Sequence, residues 1–64
     1  MSKIEVLKLN HPGEWLAIAI TAYKDDEPSE GILLAHDKER WVVMRSFRPQ
    51  RGREVIVTYA DDTR

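Results

Sequence analysis

Sixty-four residues without a cysteine exclude disulfides, thiolate zinc sites, iron–sulfur clusters and thiol catalysis together. A chain this short forms one domain, residues 1–64, and buries only about 60% of the surface it exposes when unfolded. Hydrophobic content of 42%, charged content of 33% and a net charge of −1 describe a folded, well-solvated domain, not a disordered tail or a dedicated, strongly basic nucleic-acid binder.

Residues 1–32 carry three lysines (Lys3, Lys8, Lys24) against six acids, or −3, whereas residues 33–64 carry seven basic residues against five acids, or +2. The second half therefore has room for a local basic patch. Small domains often supplement their cores with disulfides, a metal or oligomerisation. With no cysteine and two histidines, His11 and His36, a homo-oligomer (a homodimer in its simplest form) or a protein partner is the expected supplement; a cysteine-free zinc site would need carboxylates to help. The apolar run at residues 15–20 falls far short of the ~20 residues that span a bilayer. No basic-then-apolar start with a small-residue cleavage site is present, so the expectation is a cytoplasmic protein with no membrane partner.

Residues 3–9 fit two readings. Ser2 followed by Glu5 matches a helix-opening capping box, but Ile4, Val6, Leu7 and Leu9 scatter around a helical wheel. As a strand, Ile4 and Val6 alternate on one face and Leu7 and Leu9 on the other, with a bulge between; the strand is the better fit. Asn10-His11-Pro12-Gly13 is a turn signal, since proline fixes one backbone angle and glycine permits positive φ. Residues 14–22 then read as a strand with Trp15, Ala17, Ala19 and Thr21 on one face and Leu16, Ile18, Ile20 and Ala22 on the other, a pattern that suits coverage on both sides. Residues 23–30 read as a polar loop and 31–36 as a second strand, the pair forming a hairpin.

Asp37 is placed as a helix N-cap, with Glu39 in the first turn where the helix dipole favours negative charge. Over residues 38–48, Trp41, Val43, Met44 and Phe47 fall within one apolar arc at helical spacing. The rival for this segment is a strand with Trp41, Val43 and Phe47 on one side, because Val42-Val43 is poor helix sequence. Pro49 ends either element. Residues 53–60 form the last strand, Val55, Val57 and Tyr59 alternating with Glu54, Ile56 and Thr58, and 61–64 are a polar tail. The expected fold is α+β: a two-layer domain with a three- to four-stranded, mostly antiparallel sheet and one helix, in which Trp41, Met44 and Phe47 pack against Leu16, Ile18, Ile20, Leu33 and Ile56. A small all-β barrel is the alternative.

Pro12-Gly13-Glu14-Trp15-Leu16-Ala17-Ile18, then Gly31-Ile32-Leu33-Leu34-Ala35-His36-Asp37, a helix-like segment and a valine-rich terminal strand resemble a prokaryotic family of short domains of unknown function. The likeness spans residues 12–60 and implies a ββαβ layout. It brings no activity, cofactor or site residue with it, because its shared positions are turn and core residues.

The candidate chemistries each have a plainer reading. His36-Asp37 matches the metal-binding dipeptide of large helical phosphohydrolases, but those sites draw further ligands from several helices, so a strand-end histidine and a capping aspartate are the better reading. His11 before Pro12 reads as a turn residue. Asp25, Asp26, Glu27 and Glu30 miss the calcium-loop spacing and read as a solvated loop. Ser2, Ser29 and Ser46 have no nucleophile-elbow context, and Gly13, Gly31 and Gly52 form no phosphate-cradling loop. The chain is therefore read as non-enzymatic, with no cofactor and no metal site.

One positive signal remains. Arg45, Arg48, Arg51 and Arg53 lie within nine residues that contain no acid, and clustered guanidiniums suit a nucleic-acid backbone or an acidic protein face. The plainer reading, arginines facing a helix C-terminal dipole followed by a polar turn, is favoured. The sequence thus points to an uncharacterised interaction module acting by protein–protein association, with a small nucleic-acid-binding regulator as the alternative.

Overall fold

The computed structural model describes residues 2–48 and 51–62. In chain order the elements are β1 (Ser2–Lys3), α1 (Ile4–Asn10), β2 (Trp15–Lys24), β3 (Glu27–Asp37), α2 (Arg40–Ser46) and β4 (Val55–Tyr59). The four strands form one sheet in the order β1-β3-β2-β4, every pairing antiparallel. This is the expected α+β class, and residues 12–60 carry the ββαβ layout. Among the described residues there are two helices, however, where the sequence suggested one.

β2 is central because its residues suit both faces. Residues 16–20 are buried throughout, as a strand covered on both sides requires. Directly opposed residues in a ladder share a face. Leu16 opposes His36 on β3 and Thr58 on β4, and Ile18 opposes Leu33 and Ile56. On this face Leu7 of α1 completes a cluster with Leu16, Ile18, Ile20 and Ala60, flanked by Ile4, Leu33 and Ile56. Trp15, Ala17 and Ala19 occupy the opposite face with their β4 neighbours: Trp15 opposes Tyr59, Ala17 opposes Val57 and Ala19 opposes Val55. There α2 buries Val43, and Arg40 lies over the Trp15 ring, 5.6 Å from its centroid.

Residues 3–9, expected as a strand, are helical apart from the β1 residue Lys3. The N-cap of α1 is Lys3, without a side-chain cap, so the Ser2/Glu5 capping box is not the device that starts it. The apolar residues scatter on the wheel because the helix divides them: Leu7 is buried and Ile4 packs on the core, while Val6 and Leu9 face solvent. Tertiary packing of two residues decides a segment whose local pattern favoured a strand.

The polar loop expected at 23–30 is a two-residue turn. Asp25 and Asp26 both take positive φ, 53° and 66°, as a type I′ hairpin turn demands and as aspartate tolerates. Lys24 and Glu27 already pair across the hairpin. At Gly31 a Cβ would lie 2.3 Å from Ile18 Cγ2 and 2.8 Å from the Ala19 carbonyl oxygen, so β2 and β3 approach in a way only glycine permits.

The helix reading at 38–48 holds over Arg40–Ser46, but its orientation differs from expectation. Trp41 is 60% and Met44 48% exposed, and the inward residue is Val43. The core that Trp41, Met44 and Phe47 were expected to cover belongs to α1 on the other face. Asp37 remains in β3; its Oδ1 accepts at 2.9 Å the backbone N–H of Glu39, which is the N-cap of α2 and not a first-turn residue. Pro49, expected to end this element, lies outside the described residues, as do residues 63 and 64.

Candidate functional site

The expected arginine segment divides between two structural settings. Arg45 sits in the last turn of α2, its guanidinium 5.6 Å from the Trp41 ring centroid. That placement is the helix-end role, where a cation meets the C-terminal dipole, together with a cation–π contact. Arg48 follows the helix, and Arg51 and Arg53 flank Gly52 in the turn before β4; all three are exposed. Gly52 takes φ +76°, so this turn uses glycine for its left-handed geometry. All four guanidiniums of the segment are therefore on side chains exposed at the surface.

The outer side of α2 carries the apolar feature of the fold. Trp41, Met44, Trp15 and the stems of Lys38, Arg40 and Arg45 line a shallow open groove. Trp15 packs against Tyr59 of β4 with ring centroids 5.3 Å apart, and Tyr59 is itself exposed. Trp15 therefore links the groove to the edge strand of the sheet.

That edge is β4. Ile20 N–H donates to the Glu54 carbonyl and Ala60 N–H donates to the Glu14 carbonyl, each at 2.8 Å. Residues 54 and 60 thus direct their backbone groups to β2. By the alternation of an antiparallel ladder, Val55, Val57 and Tyr59 direct theirs outward. At the start of the strand, the Tyr23 hydroxyl donates to Glu54 Oε1 at 2.5 Å. This bond, with lesser contributions from desolvation and from the carboxylate charge, raises the Tyr23 pKa above its ordinary value.

A third assembly was read in the sequence only as separate turn and strand-end residues. His11, Glu14 and His36 converge, their potential ligand atoms all within 4.8 Å of one another. His36 Nδ1 lies 2.8 Å from Glu14 Oε1, His11 Nδ1 lies 3.8 Å from Glu14 Oε2, and the imidazole centroids are 4.0 Å apart. The spacing of His11 and Glu14 around Pro12-Gly13 was visible in the chain. The third member was not, because it depends on the register that sets Leu16 against His36.

No family model matches the chain, and no curated protein or solved structure matches it.

Proposed function

We propose that the chain is a non-enzymatic association module whose partner is a second copy of itself, joined edge to edge along β4. The observation that carries this reading is the open β4 edge, which runs Val-Ile-Val-Thr-Tyr. It contains none of the lysines or prolines with which exposed edges are commonly protected.

The register supports a two-fold pairing. Antiparallel alignment centred on Val57 opposes Val55 with Tyr59, and Arg53 with Asp61, an acid against a base. The outward backbone groups of Val55, Val57 and Tyr59 are those such a pairing needs. It would also bring Trp15 and Tyr59 of the two copies onto one continuous apolar face, as an interface core favours. A 64-residue core is small, and added burial between copies is a direct remedy.

Sedimentation equilibrium at micromolar concentration should give a dimer. Val57→Pro removes an outward-facing N–H while leaving the β2 ladder bonds in place, at an edge position where proline is tolerated, so it should give a monomer with an unchanged circular dichroism spectrum. A parent protein that sediments as a monomer overturns the proposal.

The second reading, contact with a nucleic-acid backbone, draws on the exposure of Arg48, Arg51 and Arg53. It requires binding that weakens steeply with salt, and a shallower salt slope when these three become alanine. In either reading the protein works by association in the cytoplasm.

A further inference from the structure

We propose that His11, Glu14 and His36 form a binding site for a divalent transition-metal ion, with zinc as its representative, and that the ion fastens the α1–β2 turn to the end of β3. This inference is independent of the pairing proposed for β4.

The first argument is ligand chemistry. Two imidazoles and one carboxylate are borderline donors of the kind zinc takes, and three protein ligands leave a fourth position for water. In a tetrahedral site with bonds of ~2.0–2.1 Å, ligand atoms lie ~3.3 Å apart. The Glu14 carboxylate faces the two imidazoles through different oxygens, Oε1 2.8 Å from His36 Nδ1 and Oε2 3.8 Å from His11 Nδ1, and one ligand atom from each of the three residues lies within 4.8 Å of the others. The three side chains are 23%, 25% and 44% exposed, which leaves them room to rotate toward one ion.

The second argument is the frame. The Glu14 N–H donates to the His11 carbonyl at 3.3 Å, closing a turn with Pro12 and Gly13 at its centre. Gly13 has φ +74°, the geometry of a type II turn. Gly13 N–H donates to the Ala60 carbonyl and Ala60 N–H to the Glu14 carbonyl, each at 2.8 Å, so β4 pins the turn from beneath. The His11 N–H donates to the Lys8 carbonyl at 3.2 Å, tying the first ligand to the end of α1. His36 stands on β3, whose register with β2 is fixed beside it. The three ligands therefore come from segments held before any ion arrives, which lowers the ordering cost of binding.

The site also answers a need of the chain. An ion here would link two segments far apart in a sequence that has no disulfide, as structural metals do in small domains. A further acid stands beside the turn: the Asp62 side chain lies close to Gly13.

The test uses the untagged full chain, stripped with chelator and titrated with Zn²⁺ alone. In NMR spectra of the parent protein, the imidazole signals of His11 and His36 should shift together with a single apparent Kd. Co²⁺ should give the visible absorption of a tetrahedral site. Zinc at a hundredfold excess over Kd should raise Tm by about 5 °C or more. His11→Ala, His36→Ala and Glu14→Gln should each weaken binding at least about tenfold. The proposal is overturned if Zn²⁺ moves neither imidazole, or if the two respond at different concentrations. Because that readout needs only the parent protein, a variant that fails to fold does not spare it.

Discussion

On one side of the sheet, Leu16, Ile18 and Ile20 are at most 4% exposed beneath Leu7 of α1; on the other, α2 buries Val43 and leaves Trp41 and Met44 facing solvent. Both helices have seven residues. The difference lies in what the sheet offers them. The α1 side presents Leu16, Ile18, Ile20, Leu33 and Ile56, large side chains that one buried leucine and a flanking isoleucine complete. The α2 side presents Ala17 and Ala19 at its centre, so a short helix reaches the sheet through a single valine while its larger residues stay outside. Small residues on a sheet permit close approach but give little area to cover. The first face is a core, and the second is a surface with apolar residues left over.

Four substitutions break or sharpen this contrast. Ile18→Ala removes a fully buried side chain from the α1 face and should cost about 2–5 kcal/mol in urea unfolding. Gly31→Ala should cost about 1–3 kcal/mol, since the new methyl meets both Ile18 and the Ala19 backbone; crystallographic comparison should find β3 displaced from β2. Thr21 presents a buried Oγ1 without a hydrogen-bond partner among the described residues, so Thr21→Val should stabilise by about 1 kcal/mol, read as a rise in the urea midpoint. Trp41→Ala, on the open side, should change stability by no more than about 0.5 kcal/mol, measured in the monomeric Val57→Pro background so that association does not contribute. A loss like that at Ile18 would make the two faces equal and contradict the contrast.

The last expectation concerns pH. The bond to Glu54 raises the Tyr23 pKa in the folded protein. A group raised on folding contributes stability that is fully present below its unfolded pKa, about 10, and is lost as pH rises through the folded value. Absorbance titration should therefore show one phenol ionising above the ordinary tyrosine range. Tyr23→Phe should remove that transition and flatten the loss of stability on the alkaline side.

The parts of the fold that were legible in the sequence are those where pattern and environment agree. Alternation from Trp15 to Ala22 marked β2 and its two covered faces, and Val55, Val57 and Tyr59 marked β4. What was missed lies where local pattern and tertiary contact part company. The N-terminal helix commits only Ile4 and Leu7 to the core, too few for a stripe. Lys24, Asp25, Asp26 and Glu27 read as loop because polar residues belong equally to an exposed hairpin end. For α2, the arc containing Trp41 and Met44 was assigned inward, yet seven residues hold too few turns to fix which side of an arc is buried. Arg45 lies at a helix end against Trp41, a contact that the sequence reading did not foresee. The His11–Glu14–His36 cluster required strand register, which no local spacing encodes.

The turn at Asp25-Asp26 has a kinetic consequence. It closes the β2–β3 hairpin through neighbours in sequence, so that pairing begins with little loop entropy to overcome. β4 joins β2 through contacts such as Trp15 with Tyr59, near opposite ends of the chain, and must wait for a much longer closure. The hairpin is then expected to form first and β4 to dock last, held within the chain by β2 alone. In native-state hydrogen exchange of the monomeric Val57→Pro variant, the amides shared by β2 and β3 should outlast those of β4, which would be the first strand to leave as well as the last to dock.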